Sequence, residues 1–241
     1  AFRLDGENVG ELVRWLGHDA VIYPGNSGGP LVDDKGKIIG INEVGIGSLG
    51  GAIPSNLAKE VIEELNANGF VSRSWIGLEC QPLIDYNQSG VLVAGVISGS
   101  PSEKSGLKAG DLITHYDGKK VSAFILEDIP IFNQLVYSRT AGKKIEILGK
   151  RNGNDKKWTV IPMNREPAFA KEKELKSWGL TIRDFTLMSS LESLRKDKNG
   201  VQVHSVNRGG PASSAKPNLV PGDVIKTVGG QRINSTNELI S

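Results

Sequence analysis

Apolar residues fall mostly in short runs broken by glycine, a spacing that predicts strands and tight turns more than long helices. Leu31-Val32 and Lys37-Ile38-Ile39-Gly40-Ile41-Asn42 flank the polar stretch Asp33-Asp34-Lys35-Gly36, the pattern of a β-hairpin. Residues 43–51 follow, rich in glycine, and read as a loop. A helical period comes next: Leu57, Val61 and Leu65 stand four apart beside Ala58 and Ile62. This predicts a helix with Ser55 as its N-cap and Asn68-Gly69 as its end. A second helix is predicted over 128–137, with Ile131, Phe132, Leu135 and Val136 on one face and Pro130 tolerated in the first turn. Over 142–162 apolar residues alternate with Lys143, Lys144, Lys150, Lys156 and Lys157, a hairpin with a solvated lysine face turning at Arg151-Asn152-Gly153-Asn154.

The pattern then repeats. Gly90-Val91-Leu92-Val93, Val96, Ser98-Gly99-Ser100-Pro101, Gly106-Leu107 and Gly110-Asp111-Leu112-Ile113 make one copy. Gly200-Val201-Gln202-Val203, Val206, Arg208-Gly209-Gly210-Pro211, Leu219 and Gly222-Asp223-Val224-Ile225 make the other. The interval from Gly90 to Gly110 is 20 residues and from Gly200 to Gly222 it is 22, so the second copy carries a two-residue insertion. Each continues to a glycine, Gly118 or Gly230, and then Val121 or Ile233. The repeat resembles the PDZ domain in the circular arrangement found in HtrA proteases. By that resemblance Trp75-Ile76-Gly77-Leu78 and Ser177-Trp178-Gly179-Leu180 are loops whose successive amides receive a peptide's terminal carboxylate. The peptide adds as a strand beginning beside Leu78 or Leu180. The peptide-binding residues are then Trp75, Ile76, Gly77, Leu78, Trp178, Gly179 and Leu180, although Leu180 and Phe132 are also natural core positions.

Composition narrows the partners. Lys and Arg number 29 against 27 Asp and Glu, a balance of +2 that argues for neither nucleic acid nor an anionic membrane surface. Cys80 is the one cysteine, so no intrachain disulfide forms, and it reads as a small buried thiol. The longest apolar run, 91–97, is broken by Gly95 and too short to span a bilayer, and no signal-peptide pattern is present. Residues 165–176 are charged and read as a linker.

The candidate chemistry sits in Pro24-Gly25-Asn26-Ser27-Gly28-Gly29-Pro30-Leu31-Val32. Glycines on both sides let a serine stand on a tight, exposed turn. The amides of Gly25 and Ser27 can then converge in front of its hydroxyl as an oxyanion hole, where one donor is worth on the order of 100-fold in rate. The letters also satisfy G-x-S-x-G, but that elbow needs a helix directly after the serine, and here proline, two apolar residues and a turn follow. G-N-S-G-G-P-L-V with G-K-I-I-G-I-N after it closely resembles the HtrA (Deg) family of trypsin-like serine proteases. The resemblance implies a catalytic set of Gly25, Asn26 and Ser27. Asn26 stands where digestive relatives carry the aspartate that pairs with a newly cut amino terminus, so that switch is absent. It further implies a specificity pocket of Val21, Ile41, Asn42 and Glu43, with Val21 as an apolar floor suited to small aliphatic side chains. Tyr23, Gly51 and a shortened 43–51 depart from the family pattern.

The fold class expected is mainly β: the C-terminal part of a trypsin-like double β-barrel (1–70), a first PDZ domain (74–164), a linker (165–176) and an incomplete second PDZ domain (177–241). The PDZ domains are expected as α+β units, small partly open β-barrels with helices. A serine nucleophile needs a histidine base and an aspartate to orient it. His18, His115 and His204 read as structural, so the chain is expected to be truncated and inactive alone. The function implied is a serine endopeptidase acting on unfolded or misfolded proteins, with PDZ domains that bind carboxyl termini. It would be a homo-oligomer, trimeric or larger, in the cell envelope or periplasm. No metal or organic cofactor is implied. The alternative is a PDZ scaffold or chaperone-like binder with a vestigial protease domain.

Overall fold

The computed structural model describes residues 3–4, 7–8, 12–46, 49–85 and 87–240, in two compact units, Ala1–Asn164 and Arg165–Ser241. Glu11 lies outside the described residues.

The first unit opens with the antiparallel pair β1 (Arg3–Leu4) and β2 (Glu7–Asn8). β3 (Leu16–His18), β4 (Pro30–Val32), β5 (Ile38–Ile46) and β6 (Leu49–Pro54) then form an antiparallel sheet in the order β3-β6-β5-β4. The expected loop over 43–51 is corrected here, because β5 runs through to Ile46 and β6 resumes at Leu49. Gly50 and Gly51 serve close approach within the sheet. A Cβ on Gly50 would lie 2.1 Å from the His18 ring, and one on Gly51 would lie 2.8 Å from Val44. α1 (Ser55–Asn68) packs on β5 and β6. Ser55 is its first helical residue and not its cap: extended Pro54 holds the cap position and has no side-chain acceptor. Gly69 closes the helix at φ 75°, donating its N–H to Leu65 O at 2.8 Å.

Next comes β7 (Ser74–Trp75), followed by β8 (Leu78–Gln81), β9 (Val91–Val96), α2 (Pro101–Lys104), β10 (Leu112–Tyr116) and β11 (Lys119–Lys120). A 3₁₀ turn at Leu126–Asp128 leads into α3 (Ile129–Tyr137), so the helix proper starts one residue past the expected Asp128. β12 (Ile145–Arg151) and β13 (Asn154–Val160) form the expected hairpin, with Asn152 and Gly153 at positive φ, and β14 (Met163–Asn164) returns to pair with β7. The sheet order β13-β12-β10-β9-β8 leaves β8 at the edge. The core between sheet and α3 is Val91, Val93, Ile113, Tyr116, Phe132, Val136, Ile147 and Val160, and the Tyr116 and Phe132 rings meet edge to face at 5.7 Å. Asp111, buried at the start of this sheet, accepts Arg151 Nε and Nη2 at 2.6 and 2.7 Å and the Lys108 N–H at 2.8 Å.

The second unit contains β15 (Lys173–Leu175), β16 (Leu180–Asp184), α4 (Leu187–Glu192), β17 (Val201–Val206), α5 (Pro211–Ser214), β18 (Val224–Ile225), β19 (Thr227–Val228), β20 (Gln231–Arg232) and α6 (Thr236–Ile240). Its main sheet runs β15-β16-β17-β18, over a core of Leu180, Ile182, Val201, Val203, Ala212, Ile225 and Ile233. Residues 165–176 are therefore not a free linker. Glu166 accepts the Leu187 N–H at 2.5 Å and Lys198 Nζ at 3.0 Å; Ala168 O accepts Thr186 Oγ1 at 3.1 Å; and Phe169 lies 4.1 Å beneath the Arg183 guanidinium. Burial alone would raise the Glu166 pKa, but these two donors outweigh it and leave the carboxyl below its ordinary value.

Candidate functional site

Ser27 stands exposed in a turn that β5 holds from behind: Gly28 N–H donates to Asn42 O at 2.7 Å, and Asn42 N–H to Gly29 O at 2.9 Å. Gly25 and Gly28 take φ 101° and 85°, so the turn needs glycine at both places. Asn26 N–H is spent on Tyr23 O at 3.0 Å, whereas the amides of Gly25 and Ser27 have no acceptor among the described residues. Two free amides flanking a serine are what an oxyanion site requires. The chain continues into β4, not a helix, which disposes of the α/β-hydrolase elbow.

The expected pocket is only partly assembled. Glu43 O accepts the Ser27 hydroxyl at 2.9 Å, and Asn42 braces the turn, so both lie at the serine. Ile41 instead lines a cleft of about 760 Å³ with Leu57, Val61 and Tyr137. Val21 is 65% exposed and closes no pocket: Ile22 packs toward Gly45, and its neighbours Val21 and Tyr23 turn to solvent. No histidine bonds Ser27 among the described residues. His18 lies over Gly50 with both ring nitrogens buried and unpartnered, His115 Nδ1 meets Thr114 Oγ1 at 3.1 Å, and His204 Nε2 pairs with Glu172 at 2.9 Å. Among the described residues no group of three or more His, Cys, Asp or Glu is placed to hold a metal ion.

In the first repeat, Trp75, Ile76 and Gly77 are all buried, backbone included. Ile97 N–H donates to Gly77 O at 3.0 Å and Ser102 N–H to Ile76 O at 2.9 Å, while the Ile76 and Gly77 amides have no acceptor among the described residues. Gly77 sits at φ 75°, and a Cβ there would lie 2.2 Å from Ser100 Cβ. The groove between this loop, Leu78 and α3 keeps only about 10 Å³ beside Phe132, Val136 and Tyr137, room for about one water. Cys80 lies on β8; burial of its thiol, with the Glu79 carboxylate adding, pushes its pKa up to about 12.

The second loop differs. Its carbonyls are held in the same way, by Asn207 N–H on Gly179 O at 2.9 Å and Ala212 N–H on Trp178 O at 3.0 Å. Its amides are taken: Trp178 N–H donates to Leu175 O and Gly179 N–H to Lys176 O, both at 3.1 Å. In the free chain these two bonds occupy the amides of Trp178 and Gly179. Leu180 is wholly buried, a core residue. Pairing of β15 with β16 was not foreseen; its one signal is Leu175, a lone apolar residue in a charged stretch.

A glycine-bracketed serine turn on an antiparallel sheet, followed by two repeats with PDZ architecture, defines a protease-PDZ class of chain. Models of the PDZ domain match residues 74–161 and 168–239. A probable periplasmic serine endoprotease, DegP-like, of Chlamydia muridarum is 34% identical over 239 residues, covering 92% of this chain and 46% of the relative. One of the same description from Ectopseudomonas mendocina is 34% identical over 248 residues, covering 93% and 50%. The solved HtrA-type protease AlgW with tripeptide superposes with a TM-score of 0.55 at 34% identity, over 64% of this chain and 54% of that one. The chain thus carries two PDZ domains, is similar to HtrA-type proteases over most of its length, and spans about half the length of the curated relatives it matches.

Proposed function

We propose that this chain is the nucleophile-bearing and PDZ-bearing part of an HtrA-type serine endopeptidase that acts on unfolded polypeptides in the periplasm. Ser27 attacks the scissile carbonyl, and the Gly25 and Ser27 amides take the charge that develops on its oxygen. Asn26, between them, keeps the turn closed through its own N–H. The histidine and aspartate of the triad come from outside these 241 residues. The first PDZ domain captures peptide carboxyl termini on the Ile76 and Gly77 amides and the open edge of β8. The whole enzyme is a homo-oligomer, and small aliphatic side chains are preferred at the cleavage site. The observation that carries the proposal is the exposed Ser27 turn with its two unpaired amides.

The test is labelling of the whole protein with a fluorophosphonate probe, with Ser27→Ala as control. Labelling that disappears in the variant supports the protease. One observation favours the second reading, a PDZ binder with a vestigial protease domain: the Ser27 hydroxyl donates to a main-chain carbonyl and not to a base. Absence of labelling, with carboxyl-terminal peptides added, would decide for that reading.

A further inference from the structure

The edge of β16 that a bound peptide would use is already occupied. β15 lies antiparallel to it in the register Lys173↔Ile182, Glu174↔Thr181, Leu175↔Leu180. Lys173 Nζ meets Asn237 Oδ1 of α6 at 2.5 Å, and α6 is tied to the far end of β16 by Thr236, whose N–H and hydroxyl donate to Asp184 at 2.6 and 3.0 Å. β15 thus bonds β16 on one side and reaches α6 on the other, where an added strand would run. Its direction is also that of a ligand, since it ends at the glycine loop. Leu175 packs against the core, Glu174 faces solvent, and the Leu175 carbonyl takes the Trp178 amide that a terminal carboxylate would take.

We propose that Lys173-Glu174-Leu175 is an internal ligand of the second groove, and that this groove accepts carboxyl termini ending in a large aliphatic residue with a cation two places earlier. The inference rests on the reading of the PDZ grooves as carboxyl-terminus sites. The internal strand is tethered through the four-residue turn 176–179, so an outside peptide competes with a local concentration on the order of millimolar. The groove is open only in the fraction of molecules with β15 released, and apparent affinity falls by that fraction.

The test is hydrogen–deuterium exchange of the full chain titrated with a synthetic peptide ending in Lys-Glu-Leu-COOH. β8 reports the first groove, and β15 with β16 report the second. Three results are expected: saturable protection at 78–81, faster exchange at 173–175 as the peptide displaces β15, and a midpoint at the second groove about 10-fold lower in Lys173→Ala/Leu175→Ala. The displacement signal in the unmodified chain stands even if that variant fails to fold. Protection at the first groove with no acceleration at 173–175 at any peptide concentration overturns the proposal. So does a second-groove midpoint that the double variant leaves unchanged. Protection at neither groove removes the underlying reading of the grooves, and the proposal with it.

Discussion

In the first PDZ domain the carbonyls of Ile76 and Gly77 accept from Ser102 and Ile97, and in the second those of Trp178 and Gly179 accept from Ala212 and Asn207. On that side the two loops are copies. On the amide side they part: Ile76 and Gly77 N–H have no acceptor among the described residues, while Trp178 and Gly179 N–H close a turn that begins at Leu175. The difference arises upstream of the loop. The chain entering the first domain is drawn back to α1, where Glu64 accepts Ser72 N–H and pairs with Arg73, so it cannot run along β8. The chain entering the second is pinned by Glu166 and Phe169 and then lies down as β15. One motif, given two approach paths, yields one vacant strand edge and one filled edge.

The largest expected contrast is at the loop glycines. Both sit at positive φ, which costs an alanine about 1–2 kcal/mol. At Gly77 the new Cβ also falls 2.2 Å from Ser100 Cβ, whereas at Gly179 the nearest atom is Gly210 Cα at 3.3 Å. With overpacking added, Gly77→Ala should cost its domain about 2–5 kcal/mol, and Gly179→Ala about 1–2. Urea titrations followed by tryptophan fluorescence check this, and equal losses would break the comparison. Gly77→Glu should in addition abolish peptide binding at the first groove, measured by fluorescence anisotropy.

A smaller contrast separates the paired aspartates. Asp111 receives three hydrogen bonds, two from Arg151, and Asp223 receives one side-chain bond, from Val220 N–H at 2.9 Å. Asp111→Ala is expected to cost about 3 kcal/mol and Asp223→Ala about 1, by the same urea titration. The smallest effect is confined to the second unit. The Glu166 pKa is depressed on folding, so its stabilisation is present above the ordinary value of 4.5 and is lost as pH falls through the lower folded value. Glu166→Gln should flatten that acid limb for the second unit and leave the first unchanged. A limb that survives the substitution assigns it to another carboxylate.

The repeat was readable because its glycines sit at turns: Gly110 and Gly222, each before an aspartate, have φ 90° and 96°. The serine turn was readable for the same reason. Residues 43–51 misled because Gly50 answers crowding from His18, distant in sequence, and Gly51 crowding from Val44, its partner across the β5–β6 pair. Ser55 misled because a good capping residue sits one place inside the helix, behind Pro54. Val21 was placed by resemblance, but its exposure depends on which of residues 21–23 faces Gly45. β15 was hidden because three residues of Lys-Glu-Leu carry no alternation long enough to mark a strand, and only the β16 edge gives them their structure.

A consequence follows from β15 for how ligands of this molecule show themselves. A ligand that binds the folded chain and not the unfolded one raises its melting temperature according to the ratio of ligand concentration to apparent Kd. A peptide on the vacant edge of β8 adds contacts that the free fold lacks and should shift the melting of its domain. A peptide in the second groove replaces main-chain and leucine contacts that are already counted in the melting of the resting domain. Thermal-shift screening should therefore report the first groove at lower peptide concentration than the second, whose apparent Kd is raised by the fraction of molecules in which β15 stays in place.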